Sequence, residues 1–316
     1  MNNNSMNHMT YEEFQERVKE ELERTLGEDY QIEAKTILKN NGVLLDGVII
    51  GYQNNQVRPT IYLNEYYQDY RRGTSLNRII SNIIKSYQEA KKHQEFDGFE
   101  YTLESMIEKI VFRIINYEQN KELLQESPHL PFVQDLVIVF YCVANLNEEG
   151  IGSIRITNDH MKHFGITLKE LKVIAMNNTR RMFPEMISKM EDMILGLFEV
   201  ADQNKQTNEL GNTQGVMDLD HNSQLFVLTN KSKLFGAGCL LYPGVLHNFS
   251  ELLQTDVIIL PSSIHECVLL PATKDKEIES LRSMVQEINS SIVRKEEILS
   301  DNVYIYCRET DEIKIA

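Results

Sequence analysis

The residues best suited to chemistry lie in one short run, Pro261-Ser262-Ser263-Ile264-His265-Glu266, set between two apolar segments. A serine nucleophile needs a histidine to take its proton and an acid to orient that histidine. Ser263 and His265 lie two residues apart, so an extended backbone projects both from one face. Glu266 then points to the other face, and an acid such as Asp256 must come from elsewhere. No GxSxG elbow occurs in the chain. The competing reading is a loop between two strands, its serines and histidine bonding exposed backbone. Ser263 and His265, with Ser262 beside them, are the catalytic candidates of a serine hydrolase-like alternative.

Metal chemistry finds less support. His265-Glu266 opens an HExxH pattern, but Leu269 stands where the second histidine belongs. Asp218, Asp220 and Asn222 match the first positions of a calcium loop, yet Ser223 replaces its glycine and Thr229 its bidentate glutamate. His160 and His163 share a helical face with only Asp159 as a nearby carboxylate, and a capped helix start explains them better. Gly236-Ala237-Gly238 lacks the third glycine of a dinucleotide fingerprint, since position 241 is Leu. These glycines suit close packing or a bulge. Neither a metal nor a cofactor is expected. Tyr66, Tyr67 and Tyr70 beside Arg71 and Arg72 mix rings with cations as single-strand binders do. The chain carries 47 acidic and 32 basic side chains, a net charge of -15. That balance works against phosphate binding, so partly buried tyrosines and solvated arginines are expected, with Arg180 and Arg181 read the same way.

The elements that would position these residues follow from periodicity. Thr10 and Glu13 form a capping box before Tyr11, Phe14, Val18, Leu22 and Leu26, and Gly27 ends the helix. A hairpin turns at Asn41-Gly42, and Pro59 to Leu63 adds a short strand. The spacing predicts helices through Leu76 to Tyr87, Met106 to Ile115, and from Thr167 to a stop before Pro184. Leu136 to Ala144 reads as a buried strand with Ile151 to Thr157 as its partner. Beyond a polar stretch, 201–215, come strands at Leu225–Leu228, Gly238–Tyr242, Val257–Leu260, Cys267–Leu270 and Val303–Tyr306, with helices after Pro243 and from Ile278 to Ile292. This is an α+β protein of two mixed subdomains, each a mainly antiparallel sheet covered by helices. The expected division is an N-terminal domain over 1–200, a linker or long loop over 201–215, and a C-terminal domain over 216–316.

Several of these segments carry a family likeness. The stretch from Asn116-Tyr117-Glu118 to Phe183-Pro184, with Leu228-Thr229-Asn230, Gly236-Ala237, Pro261 to Glu266 and Leu299-Ser300-Asp301, resembles an uncharacterised family of clostridial, largely gut-dwelling Firmicutes bearing only a domain-of-unknown-function label. The likeness covers nearly the whole chain after Thr10. It implies a bacterial cytoplasmic protein and brings no activity with it. Met1 to Thr10 has neither a basic nor an apolar signal region, no run approaches membrane length, and Cys142, Cys239, Cys267 and Cys307 form no CxxC. Buried free thiols in a cytoplasmic protein are expected. With every catalytic pattern incomplete, the reading is a non-enzymatic protein-binding or regulatory module whose partner is another protein, not nucleic acid or a membrane.

Overall fold

Thr10 starts the first helix as its neighbours require. Its hydroxyl accepts the Glu13 amide at 3.2 Å, and the Glu13 carboxylate accepts the Thr10 amide at 2.8 Å. The computed structural model describes residues 9–52, 58–92, 102–147, 150–192, 225–261, 263–273 and 277–316. The polar stretch 201–215, the Asp218–Asn222 pattern and Ser262 lie outside them. The described chain forms two compact units, residues 1–107 with 144–152, and residues 108–143 with 153–316.

In the first unit, helix α1 (Tyr11–Leu26) is followed by strands β1 (Tyr30–Leu38), β2 (Leu44–Tyr52) and β3 (Thr60–Tyr62), an antiparallel sheet in that order. Asn41 and Gly42 take φ of 57° and 67° at the β1–β2 turn, the left-handed region that Asn and Gly tolerate. Helices α2 (Asn64–Arg71) and α3 (Leu76–Lys92) close over the sheet, with α4 (Leu103–Met106) after them. Phe14, Val18, Leu22, Val48, Ile50, Ile79 and Ile83 are fully buried in one cluster. Each such side chain contributes about 1.5–3 kcal/mol of burial.

The second unit holds two sheets. Strand β4 (Ile110–Asn116) pairs antiparallel with β6 (Leu136–Asn147), which also pairs with β5 (His129–Pro131) and β7 (Gly150–Arg155). Met106 to Ile115, expected to be helical, is thus mostly strand. Ile110, Val111, Phe112, Ile114 and Ile115 are all buried, and a strand covered on both faces shows no alternation. Helix α5 (Lys121–Gln125) sits between β4 and β5, and α6 (Asn158–Phe164) and α7 (Leu168–Met182) follow β7. The free edge of β4 is covered by α7. Thr179 Oγ accepts the Phe112 amide at 2.9 Å, and Asn178 Nδ2 donates to the Ile110 carbonyl at 3.0 Å.

The larger sheet contains β8 (Glu185–Lys189), β9 (Phe226–Asn230), β10 (Val257–Leu260), β11 (Cys267–Pro271), β12 (Tyr304–Cys307) and β13 (Glu312–Ile315). Its order is β13-β12-β10-β11-β9-β8, antiparallel throughout. Strand β8 precedes the polar stretch and β9 follows it, so the sheet draws strands from both sides of the expected linker. Gly238 to Tyr242 is not a strand but lies largely in a 3-10 turn, Gly236–Leu241. Helices α8 (Val245–Leu253) and α9 (Ile278–Ser291) take opposite faces. Ile258 and Leu260 pack with Val285 and Leu281 of α9. On the other face Phe226 meets Phe249 of α8 edge-on at 5.0 Å.

Candidate functional site around Arg113 and His265

The loop between β9 and the 3-10 turn is shaped by one side chain. Asn230, 2% exposed, donates through Nδ2 to the Leu234 carbonyl at 2.8 Å, and its Oδ1 accepts the Ser232 amide at 3.0 Å. Lys233 and Phe235 are held at φ of 54° and 56°. For a bulky residue such as Phe that conformation costs on the order of 1–3 kcal/mol and persists only where its surroundings over-determine it. Gly236 supplies one constraint. A Cβ there would stand 2.2 Å from Thr229 Oγ1 and 2.6 Å from the His265 carbonyl oxygen. That proximity exists because Thr229 Oγ1 donates to the same carbonyl at 2.8 Å. His265 supplies the second, its Nδ1 accepting the Phe235 amide at 3.2 Å.

The segment around His265 is a tight turn, not an extended strand. Ser263 forms a single antiparallel bridge with Ile298, and the Ile264 amide donates to the Glu297 carbonyl at 2.8 Å. Ser263 Oγ accepts the His265 backbone amide at 3.0 Å. Ser263 and His265 are therefore neighbours as the sequence suggests, but the hydroxyl meets the backbone and not the imidazole. With Nδ1 engaged as acceptor, the neutral ring carries its proton on Nε2. Nε2 lies 3.8 Å from Glu297 Oε1. The carboxylate facing this histidine thus comes from the 3-10 turn Lys295–Glu297. Asp256 instead accepts the Arg308 amide at 2.9 Å. Burial holds His265 below its ordinary value, against Glu297 and Glu266, which raise it, while Arg113 adds to the lowering.

Arg113 is the residue this site adds to the sequence reading. It lies on β4, and the β4–β6 register sets Val111 opposite Tyr141 and Arg113 opposite Val139. Arg113 and Tyr141 are therefore diagonal neighbours on one sheet face. The guanidinium carbon stands 4.0 Å from the Tyr141 ring centroid and 3.5 Å from that of Phe235. The Phe235 ring in turn lies 5.1 Å from the His265 ring, tilted by 36°. Tyr141, Arg113, Phe235 and His265 thus follow one another in a row of cation and ring contacts. Ser153 Oγ on β7 accepts from a terminal guanidinium nitrogen at 2.8 Å. Among the described residues no carboxylate pairs with Arg113. Desolvation pulls its guanidinium down to about 10, against the hydrogen bond and charge of Tyr141, which raise it, and leaves it a cation at neutral pH. The sequence signal was a lone charge inside the apolar run Ile110 to Ile115.

The remaining candidates fall into structural roles. His160 Nδ1 accepts the Thr157 amide at 3.0 Å, completing a capping box at the start of α6. Among the described residues no group of three or more His, Cys, Asp or Glu is placed to hold a metal. Tyr66, Tyr67 and Tyr70 pack against the first unit's core; the Tyr67 hydroxyl donates to the Met9 carbonyl at 3.0 Å. Arg180 pairs with Glu185, and Arg181 donates to the Glu108 carbonyl. Cys142, Cys239 and Cys267 are buried, and burial raises all three thiols, Cys142 to about 11 and Cys239 to about 12. Cys307 departs from that pattern. It is half-buried, and hydrogen bonds from Thr310 lower its thiol. No described helix is long and apolar enough to cross a membrane.

Compared with known proteins, the chain matches the model of a family of unknown function (DUF5688) over residues 11–308. No curated protein matches it, and no solved structure does.

Proposed function

We propose, from the premise that the chain belongs to the DUF5688 family, that it is a non-enzymatic binding or regulatory module whose recognition surface is built by the Phe235 loop and the His265 turn. One observation carries this reading. Both polar groups of the apparent Ser-His pair are engaged by backbone amides, Ser263 Oγ by His265 and His265 Nδ1 by Phe235. A general base must reach the proton it removes. Here the imidazole is spent on holding Phe235 in a strained conformation, and the hydroxyl on closing the turn that carries the imidazole. Such mutual bracing fixes a surface in shape, which favours recognition.

The serine hydrolase-like alternative keeps one supporting feature, the Glu297 carboxylate 3.8 Å from His265 Nε2. Treating the folded chain with a fluorophosphonate probe separates the two. A binding module gives equal, background labelling of the native protein and of Ser263→Ala. Labelling that is present in the native protein and lost in Ser263→Ala, with the fold intact, refutes the binding reading.

A further inference from the structure

A strand at the rim of a sheet keeps half of its main-chain groups unpaired, and the ladder on its other side decides which half. Strand β8 ends the six-stranded sheet and pairs only with β9. The Lys231 amide donates to the Pro184 carbonyl at 3.1 Å, and the Met190 amide to the Leu225 carbonyl at 2.9 Å. The even-numbered residues from Pro184 to Met190 therefore turn their main chain to β9, and Glu185, Ile187 and Lys189 turn theirs outward. Those three have no main-chain partner among the described residues. The side chains of the same three share a face with Phe226, which stands opposite Lys189. Phe249 of α8 packs on that face, beside a groove of about 620 Å³ whose apolar lining is Ile187, Phe226, Val245, Phe249 and Leu252. Leu252 is 78% exposed. Edge strands are commonly defended by bulges, prolines or charges. Strand β8 has neither bulge nor proline, and its two charges are of opposite sign, placed symmetrically about Ile187.

We propose that this edge is the docking surface for a second copy of the chain, β8 pairing antiparallel with its own counterpart about a two-fold axis at Ile187. The order of charges selects this occupant. Antiparallel pairing centred on Ile187 sets Glu185 opposite Lys189 of the partner subunit, and Lys189 opposite the partner's Glu185. Opposite charges directly across a ladder attract, whereas a parallel arrangement in the same register sets like against like. The same centring matches the free main-chain groups, because outward-turned residues meet outward-turned residues and each pair exchanges both bonds. A shift by one residue loses those bonds, and a shift by two separates the charges. Self-complementarity under a two-fold is what an isologous dimer requires. The axis stands perpendicular to the sheet, so both grooves open on one face, each beside an exposed Leu252. The inference goes beyond the reading of the His265 turn and does not depend on it.

The test weighs the full chain by sedimentation equilibrium over a concentration series, with hydrogen exchange of the Ile187 amide read alongside. A mass rising from one chain to two is expected, with the Ile187 amide protected as the dimer forms. Ile187→Pro removes an outward N–H and spares the ladder to β9, so a folded variant should associate at least tenfold more weakly. Two charge variants keep the test decisive should the proline disturb β8. Lys189→Glu alone sets two carboxylates face to face, and Glu185→Lys alone sets two ammonium groups face to face. Each should associate at least tenfold more weakly than the native chain. An equimolar mixture of the two should regain the dimer, because only mixed pairs match opposite charges. A single-chain mass at every concentration overturns the proposal and leaves the edge to a strand of another protein. A dimer that a folded Ile187→Pro leaves unchanged, an Ile187 amide no better protected in the dimer, or a mixture that fails to recover overturns it equally.

Discussion

The His265 imidazole has to remain neutral to accept the Phe235 amide, and burial favours that form. Its folded value lies below the unfolded one. Between the two, the unfolded chain holds a proton that the folded chain does not, so stability falls on acidification below about 6.5, the ordinary histidine value. The loss is complete once pH is beneath the folded value. The groups acting on the ring are Glu297 and Glu266, which oppose this shift, and Arg113, which reinforces it. His160 is lowered too, and acts with the same sign, so the two must be resolved singly. A proton titration of the His265 Cε1–H resonance should show a midpoint under 6.5. A midpoint at or above that value contradicts the assigned role. Ser263 and His265 were legible as neighbours because two residues cannot part far. Their roles were legible only as two alternatives, a catalytic pair or a loop bonding backbone, since a hydroxyl bonding the amide two positions on is a turn that sequence spacing shares with a catalytic pair. Arg113 was hidden for a different reason. Tyr141 and Phe235 reach it only through strand pairing and a loop, neither of which a local pattern encodes.

Elements with an amphipathic pattern were readable. Helix α1 with its capping box, the Asn41-Gly42 hairpin, and the helix that starts at Thr167 and stops before Pro184 stand where the sequence puts them. Elements buried on both sides, or too short to show a period, were not. Strand β4 passed for a helix because Ile110, Val111, Ile114 and Ile115 also fit helical spacing. Gly238–Tyr242 passed for a strand because it is apolar throughout, although it lies largely in the 3-10 turn. Strand β4 has a consequence that can be tested at its edge. The Phe112 amide points away from β6 and is satisfied by Thr179 Oγ, which itself donates to the Ala175 carbonyl. Thr179→Val keeps shape and removes the acceptor, leaving a buried N–H unpaired, and should cost about 1–3 kcal/mol. Thr179→Ser keeps the oxygen and should cost less. Urea unfolding measures both. A loss in Thr179→Ser with none in Thr179→Val would mean that the methyl group, not the edge amide, is what matters at this position.

Across the whole second unit, the two sheets are tied by a polar hub. Asp135, in the turn before β6, accepts from Ser300 Oγ at 2.7 Å, Asn302 Nδ2 at 3.1 Å, Asn116 Nδ2 at 3.2 Å and the Tyr304 hydroxyl. Charge-assisted bonds of this kind specify one arrangement of loops that apolar contact alone leaves free. The two-subdomain division at 201–215 was read from a change in composition, but antiparallel pairing joins strands by their edges and ignores such changes. Glu185 to Lys189 register residue for residue against Asn230 to Phe226. That pairing makes the chain divisible in an unusual place. If the backbone is severed between Lys189 and Phe226, the two pieces remain neighbours in one sheet, each holding a strand the other needs. Co-expressed as 1–200 and 216–316, they should find each other and elute as a single species, while the shorter piece alone, lacking β8, should aggregate through the uncovered edge of β9. Separate elution of two soluble fragments would show that the β8–β9 ladder contributes little. Joint elution would make this pair a reporter whose signal depends on two other proteins bringing its halves together.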